Sequence, residues 1–209
     1  MSLRNPLISS FKLPIVFLIL LWVLKLSEIG LNQNWSSWGI YPRHFIGLRG
    51  IFFSPLLHGS IQHLLSNTLP LLVLLTSIFY FYKKVAWKIF ISSYLFVGVW
   101  VWILGRESYH IGASGLVYSF FAFLVFSGIL RKQRKLLAIS LITLFLYGST
   151  IWGIFPQALH VSWESHLLGF FTGVLLAYYF KDEESSLEQT KINDDPEYSR
   201  DFWNDVIEK

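Results

Sequence analysis

The sequence lacks cysteine entirely and carries few charges. No cysteine occurs among the 209 residues, which excludes disulfides, thiolate nucleophiles and Cys-ligated zinc or iron sites. Only 14% of the residues are charged, whereas a soluble globular domain usually carries about 25%. All five aspartates lie from Asp182 onward, so a pair of membrane-embedded aspartates and a buried Ser-His-Asp triad are both excluded. The HExxH zinc motif is also missing from the sequence.

Apolar residues dominate what is present. Hydrophobic residues make up 54% of the chain, and the mean hydropathy is +0.50. A helical crossing of a bilayer needs about 20 mostly apolar residues. Six runs approach that length: 13–31, 61–82, 86–104, 114–130, 136–154 and 164–180. None shows the alternation of a membrane β-strand, so we predict an all-α polytopic membrane protein with six transmembrane helices in one bundle.

Basic residues fall mainly on one side of these six helices. If the helices alternate in direction, ten Lys and Arg residues flank them on one side and three on the other. The ten are Arg4, Lys12, Lys83, Lys84, Lys88, Arg131, Lys132, Arg134, Lys135 and Lys181. The three are Arg43, Arg49 and Arg106. Because cytoplasmic loops carry the excess of basic residues, we expect both termini in the cytoplasm.

Three regions follow along the chain. Residues 1–12 are expected to form a cytoplasmic N-terminus and residues 13–180 the membrane domain. Lys25 and Glu28 interrupt the first run and no clear small-residue cleavage site is present, so we interpret this run as a retained helix rather than a signal peptide. Residues 181–209 hold ten of the thirteen acidic residues and are expected to form a mostly disordered cytoplasmic tail. The basic surplus of the remainder reflects membrane orientation, not nucleic-acid binding.

The longest connection between the predicted helices, Asn32 to Gly59, is rich in aromatic residues. They are Trp35, Trp38, Tyr41, Phe45, Phe52 and Phe53. Such side chains prefer the headgroup region of a bilayer. We therefore expect an interfacial element lying on the outer leaflet.

Polar residues inside the apolar runs are candidates for chemistry, because they are costly at membrane depth. Ser114, within Gly112-Ala113-Ser114-Gly115, opens the fourth predicted helix, and His166 opens the sixth. A serine hydroxyl is a poor nucleophile until a neighbouring base takes its proton, and histidine is the usual base. Ser114 and His166 are therefore the candidate catalytic dyad.

An oxyanion site is expected beside this dyad. The N–H of Ser114 lies at a helix start, where backbone donors lack intrahelical partners. His63 and Asn67 are four residues apart, so they share one face of the second helix at a similar depth. Gly112 is interpreted as permitting a close approach of the loop, and Gly115 as leaving the first turn open to a substrate carbonyl.

Other residues support these candidates. Tyr118 lies one turn after Ser114 and is placed to stack on His166. Gly169 and Gly173 share a face with His166 and allow the fourth and sixth helices to approach closely. His58 is expected to tie down its loop. His44, His110 and His160 are interpreted as polar loop residues, and Glu164 as facing solvent rather than orienting His166 or pairing with Arg106.

Each of these residues taken alone also has a simpler interpretation as packing or an interhelical hydrogen bond. What favours chemistry is that polar positions on three helices fall at one depth. Three motifs occur in order along the chain: His58-x4-His63-x3-Asn67, the GASG at 112–115 with Tyr118, and His166-x2-Gly169-x3-Gly173. Through these motifs the chain resembles the rhomboid family of intramembrane serine proteases, over roughly residues 10–180.

The resemblance implies a six-helix core with a water-accessible cavity open to the outside. It implies hydrolysis of a peptide bond in or near a substrate's transmembrane helix through an acyl-enzyme on Ser114, with His63, Asn67 and the Ser114 N–H as oxyanion hole. Many members carry a Trp-Arg pair in the first outer loop, where this chain has Leu48-Arg49-Gly50. We expect an integral protein of the bacterial inner membrane, without cofactor or metal, that contacts lipid and transmembrane substrates and no nucleic acid; its oligomeric state stays open.

Two alternatives remain at this point. One is a non-catalytic rhomboid-like protein that binds transmembrane clients for quality control. Relatives of that kind typically lack the serine or the histidine, and both are present here. The other is a haem or metal membrane protein using His58, His63 and His166, which leaves the glycine-bracketed serine without a role.

Overall fold

The computed structural model describes residues 6–156 and 162–183 and shows a helical bundle. The α-helices are α1 (Pro6–Ser10), α2 (Lys12–Gly30), α3 (Gly50–Phe53), α4 (Ile61–Phe81), α5 (Ala86–Leu104), α6 (Ser114–Arg131), α7 (Arg134–Tyr147) and α8 (Trp163–Tyr179). Within these two ranges no strand forms, and the one isolated β-bridge pairs Ile40 with His110. The all-α prediction is thus confirmed. The predicted tail beyond Glu183 and His160 lie outside the described residues.

Five helical segments of the described chain are long and apolar enough to cross a membrane. They are Pro6–Gly30, Ile61–Phe81, Ala86–Leu104, Ser114–Arg131 and Arg134–Ile154. The sixth predicted helix is present as α8, with 17 residues. At about 1.5 Å per residue it is about 25 Å long, slightly less than a hydrocarbon core of about 30 Å. The protein is therefore an integral membrane protein whose sixth helix is short.

The fifth predicted run, 136–154, is α-helical only as far as Tyr147. Beyond it the chain tightens into a 3-10 segment, Gly148–Ile154. Thr150 contributes to this change, because its hydroxyl donates to the carbonyl of Tyr147 at 2.6 Å and so competes for a helix acceptor. The tightened segment lies close to the start of α8.

Helix α6 occupies the centre of the bundle and is mostly buried. It packs most closely against α8. A methyl group added at Gly169 would collide with the carbonyl of Gly115, and one added at Gly173 would collide with the carbonyl of Ser119. These two glycines let the two backbones touch, as their spacing predicted.

The connection between α2 and α4 is folded rather than loose. It contains 3-10 turns at Ser36–Trp38 and Phe45–Arg49, then α3. The guanidinium of Arg49 lies 4.5 Å from the centre of the Trp38 ring and donates to the carbonyl of Ser37 at 2.9 Å. The backbone pair between Ile40 and His110 joins this connection to the loop before α6. Arg49 therefore anchors the first loop through Trp38 and Ser37 rather than through a tryptophan next to it in the sequence.

A buried ion pair closes the end of α2. Lys25 Nζ lies 2.6 Å from Glu28 Oε2, with both side chains about one-tenth exposed. The other carboxylate oxygen of Glu28 accepts the N–H of Trp35 at 2.8 Å. Each charge is paired, which a buried charge requires, and the pair fixes the direction in which the chain leaves α2.

Arg131 joins α6 to the end of α8 at the opposite end of the bundle from Ser114. Its guanidinium donates to the carbonyls of Phe180 and Glu183 and lies 5.2 Å from the centre of the Tyr82 ring. The last carbonyls of a helix lack intrahelical donors, so Arg131 caps α8 from a neighbouring helix.

Candidate active site

A cavity of about 790 Å³ lies at the end of the bundle where α4, α6 and α8 begin. We call this the cavity end. The residues that line the cavity include Ser114, His166, His63, Asn67, Tyr118 and Thr150. The structure thus brings together the candidate residues of three separate helices.

Ser114 is the first residue of α6, and the loop before it is held by its own backbone. Gly112 has φ +116°, a conformation that favours glycine, and its N–H donates to the carbonyl of Ser54 at 2.9 Å. The N–H of Ala113 donates to His58 Nε2 at 3.4 Å. Burial lowers the pKa of His58 to about 3, so its imidazole is neutral and able to accept. His58 therefore ties down the loop before Ser114 rather than its own.

His166 lies in the first turn of α8, and both of its ring nitrogens have partners. Nε2 lies 2.8 Å from Ser114 Oγ, and Nδ1 lies 2.9 Å from the carbonyl oxygen of Gly153. A carbonyl oxygen only accepts, so Nδ1 carries the proton and Nε2 is left as the acceptor. The hydroxyl of Ser114 therefore donates to His166, which is the arrangement that general-base activation of a serine requires.

Tyr118 stacks on His166, as predicted. The two rings are 4.3 Å apart with planes 8° from parallel. The hydroxyl of Tyr118 donates to the carbonyl of Thr150 at 2.6 Å. The 3-10 segment Gly148–Ile154 thus holds both the histidine, through Gly153, and the ring that packs on it, through Thr150.

His63 and Asn67 lie on the wall of the cavity formed by α4. The hydroxyl of Ser60 caps this helix by accepting the N–H of His63 at 3.1 Å. The imidazole of His63 packs on Gly112, where an added Cβ would lie 2.6 Å from Cε1 and 2.8 Å from Nε2. Asn67 donates one amide hydrogen to the carbonyl of His63 at 3.0 Å, so its second amide hydrogen remains for the cavity.

The interpretation of Gly115 was wrong. A methyl group there would lie 2.7 Å from Val97 Cγ1 and 3.2 Å from the carbonyl oxygen of Ser165. The glycine therefore faces α5 and α8 and makes room for their packing, rather than leaving the first turn open to a substrate. Consecutive residues of a helix project from different faces, so Gly115 does not share the face from which Ser114 reaches the cavity.

The solvent-exposed position expected for Glu164 was also wrong. Its side chain is 7% exposed, and Oε1 lies 3.4 Å from Arg106 Nη1. A carboxylate this deep needs a cation to offset its desolvation, and the loop before α6 supplies one. Of the three possibilities the sequence left open, the pairing with Arg106 is the one found.

His110 is more than a polar loop residue. Its Nε2 donates to the carbonyl of Arg106 at 2.9 Å, so its Nδ1 accepts from the hydroxyl of Ser162 at 2.5 Å. Ser162 Oγ is in turn 2.6 Å from Ser165 Oγ. Burial lowers the pKa of His110, in the direction that favours this neutral state. The only indication of this contact in the sequence is that His110 precedes Ser114 by four residues.

The described residues contain no group of three or more His, Asp or Glu placed to hold a metal ion. The alternative built on three histidines is not favoured by their contacts. His58 and His63 have ring centres 5.1 Å apart, but His58 Nε2 accepts from Ala113 and both nitrogens of His166 are used. These nitrogens lack the free lone pairs that metal ligation needs.

The fold and the cavity define a helical membrane protein in which a serine and a histidine meet at the starts of two helices. The chain belongs to the Rhomboid family, because the family model for the Rhomboid domain matches residues 46–183. An uncharacterized protein of Mycobacterium tuberculosis is 33% identical over 191 residues, covering 85% of this chain and 78% of the relative. One of Mycobacterium leprae is 32% identical over 194 residues, covering 85% and 74%. Members of this family are generally intramembrane serine proteases.

Proposed function

We propose that this protein is an intramembrane serine endopeptidase that cleaves transmembrane segments of other membrane proteins. The observation that carries the proposal is the 2.8 Å contact between Ser114 Oγ and His166 Nε2, with His166 Nδ1 donating to Gly153. This geometry supports Ser114 as nucleophile and His166 as general base. Family membership supports the same reaction class.

Acylation begins with attack of Ser114 Oγ on the substrate carbonyl carbon while Nε2 of His166 takes the hydroxyl proton. The imidazolium that forms keeps its Nδ1 hydrogen bond to Gly153. Collapse of the tetrahedral intermediate breaks the C–N bond, and His166 gives its proton to the leaving amine. An ester on Ser114 remains, and a water in the cavity attacks it with His166 again acting as base.

The negative charge of the tetrahedral intermediate needs donors already in place. The N–H of Ser114 at the start of α6, the ring of His63 and the remaining amide hydrogen of Asn67 are proposed for this role. Their support is that all three residues line the cavity that holds the dyad. The packing of His63 on Gly112 keeps its ring beside the loop that leads to Ser114.

Substrates are proposed to be helices that unwind locally within the membrane. A continuous helix uses its carbonyls in backbone hydrogen bonds, so local unwinding must come before attack. Segments with a small residue before the cleaved bond and a helix-destabilising residue after it suit this requirement. We place both termini in the cytoplasm of a bacterial inner membrane and the cavity end toward the outside, since ten of the thirteen flanking basic residues lie at the other side.

A Ser114→Ala variant tests the proposal. In proteoliposomes with a single-helix reporter, the unaltered protein is expected to cleave the reporter, and Ser114→Ala is expected to lose cleavage by about 10³-fold or more, because the nucleophile is gone. A fluorophosphonate probe should label the unaltered protein at Ser114. Ser37→Ala, which changes an exposed serine of the first loop, is the matched control and should cleave normally.

Two results would contradict the proposal. Cleavage that persists in Ser114→Ala would exclude Ser114 as the nucleophile. Tight binding of transmembrane helices by the unaltered protein, with neither cleavage nor labelling, would instead favour the non-catalytic client binder.

A further inference from the structure

Two polar contacts join the loop before α6 to the start of α8. Arg106 Nη1 lies 3.4 Å from Glu164 Oε1, and His110 Nδ1 lies 2.5 Å from Ser162 Oγ. We call these four residues the loop–helix clamp. They form one wall of the cavity, since Arg106, His110 and Ser162 all line it.

The clamp connects the two short segments that carry the candidate dyad. Arg106 and His110 precede Ser114 by eight and four residues, and Ser162 and Glu164 precede His166 by four and two. Ser114 is the first residue of α6 and His166 lies in the first turn of α8, where backbone N–H groups lack intrahelical partners. The relative placement of Ser114 and His166 therefore depends on what holds these two segments together.

Glu164 is the costly member of the clamp. Its side chain is 7% exposed, whereas that of Arg106 is 33% exposed. Oε2 of Glu164 is buried and has no hydrogen-bond partner in the described part of the protein. The carboxylate therefore depends on Arg106, because a buried charge without its partner is strongly unfavourable.

We propose that Arg106 and Glu164 are positioning residues, which hold the loop before α6 against α8 and thereby set the contact between Ser114 Oγ and His166 Nε2. This role rests on the proposed function. Neither residue touches the reacting atoms. Their effect is on the chemical step, because small displacements of a nucleophile from its base have large effects on rate.

The same loop offers a matched control. Glu107 lies 3.4 Å from Arg43, the same distance as in the clamp, but its side chain is 60% exposed. An exposed pair of this kind contributes little. Glu107→Gln and Glu164→Gln are thus the same substitution at two ion pairs of equal length, one exposed and one buried.

The experiment measures fluorophosphonate labelling and reporter cleavage, per folded molecule, in proteoliposomes. Arg106→Gln is expected to be the more damaging single change, about 100-fold in labelling rate, since it leaves Glu164 buried without a cation. Glu164→Gln should cost about tenfold, since Arg106 keeps partial access to water. Adding Glu164→Gln to Arg106→Gln should restore labelling to about the Glu164→Gln level, and Glu107→Gln should stay within about twofold of the unaltered protein.

Kinetic parameters separate positioning from stability. The clamp variants should lower kcat with KM nearly unchanged, because substrate binding does not require the Ser114–His166 contact. Folded variants that label at the unaltered rate would overturn the inference, even with a lower Tm. A double variant more impaired than Arg106→Gln would also overturn it.

Amide hydrogen exchange gives a measure that is independent of activity. In a Ser114→Ala background, the N–H groups of His110 and Gly112, which donate to Ile40 and Ser54, should exchange faster with Arg106→Gln than without it. Unchanged exchange would overturn the clamp. An unaltered protein without labelling would instead remove the proposed function, while the exchange result would still decide whether these residues hold the loop.

Discussion

In the proposed mechanism, His166 is oriented without a carboxylate. In a Ser-His-Asp triad the carboxylate accepts the Nδ1 hydrogen and fixes the tautomer. Here the backbone carbonyl of Gly153 accepts it at 2.9 Å. A carbonyl brings no net charge, so no carboxylate has to be buried against Nδ1. The ring of Tyr118 stacks on the face of the His166 imidazole and restrains its rotation.

A Gly153→Ala variant tests this role of the backbone. Its methyl group would collide with the hydroxyl of Tyr118 and lie 3.2 Å from His166 Nδ1, so the segment must move away from the imidazole. We expect the labelling rate at Ser114 to fall by about tenfold or more. The measurement is the initial rate of fluorophosphonate labelling in folded protein.

Gly148→Ala serves as the control within the same 3-10 segment, because its nearest contact would be 3.4 Å from Leu144 Cδ1. It should label within about twofold of the unaltered rate. Equal rates in the two variants would contradict an orienting role for Gly153.

The sequence predicts those parts of the candidate site that are formed by side chains, and not those formed by the backbone. Ser114 and His166 stand out because polar groups in apolar runs are rare, and the structure brings them together. The carbonyl of Gly153 has no such signal, since every residue has one. Glu164 was misplaced because its partner, Arg106, belongs to another segment, and sequence spacing between helices does not reveal which loops meet.

At the scale of helices, the contact between α6 and α8 is built on glycine. At Gly169 and at Gly173, the backbone of α8 lies against a backbone carbonyl of α6. Packing of this closeness gains dispersion contacts and weak Cα–H hydrogen bonds. The contact between Ser114 and His166, at one end of α6 and α8, depends on this close approach of the two helices.

Gly173→Ala should weaken this contact without touching the dyad. The added methyl group would collide with the carbonyl of Ser119 and lie 2.8 Å from the Cβ of Ala122. Overpacking of this kind costs about 1–3 kcal/mol, so the midpoint of thermal unfolding should fall. Circular dichroism during heating in detergent provides the measurement.

Gly30→Ala is the matched substitution, since a methyl group at Gly30 meets nothing within 4 Å. It should leave the midpoint unchanged or raise it slightly. If Gly173→Ala and Gly30→Ala had the same midpoint of thermal unfolding, α6 and α8 would not be packed this tightly.

The helices themselves were the most predictable part of the fold. Helices α2, α4, α5, α6 and α8 begin and end within about one residue of the predicted apolar runs, because the lengths of those runs follow from the bilayer. The end of α7 was not predicted, since the 3-10 segment after Tyr147 depends on local bonding by Thr150. The turns between α2 and α4 were not predicted either, because contacts with distant residues such as His110 and Tyr94 fix them.

For the whole molecule, charge predicts direction in the membrane. The basic flanks of the helices gather at one side, and the cavity lies at the other, where α4, α6 and α8 begin. On the positive-inside rule we therefore predict that the cavity end faces outward. An outward cavity would admit water for hydrolysis from the side with few basic residues.

Single introduced cysteines test this orientation. The chain has no cysteine of its own, so only the introduced residue can react with a maleimide. In intact bacterial cells with a permeable outer layer, a membrane-impermeant maleimide should label Ser37→Cys, which lies in the first loop at the cavity end. Lys132→Cys, between α6 and α7, should react only after the membrane is opened. The reversed pattern would contradict the orientation.

Arg131 ties α6 to α8 at one end, and the Ser114–His166 contact joins them at the other. Because glycine contacts lie between these two ties, we expect α6 and α8 to open as one cooperative unit. Helix α7 buries few of its residues, so we expect it to open locally before α6 and α8 separate. Ser114 and His166 therefore lie on the two helices that we expect to separate last, whereas Gly153, which orients His166, follows the weakly buried α7.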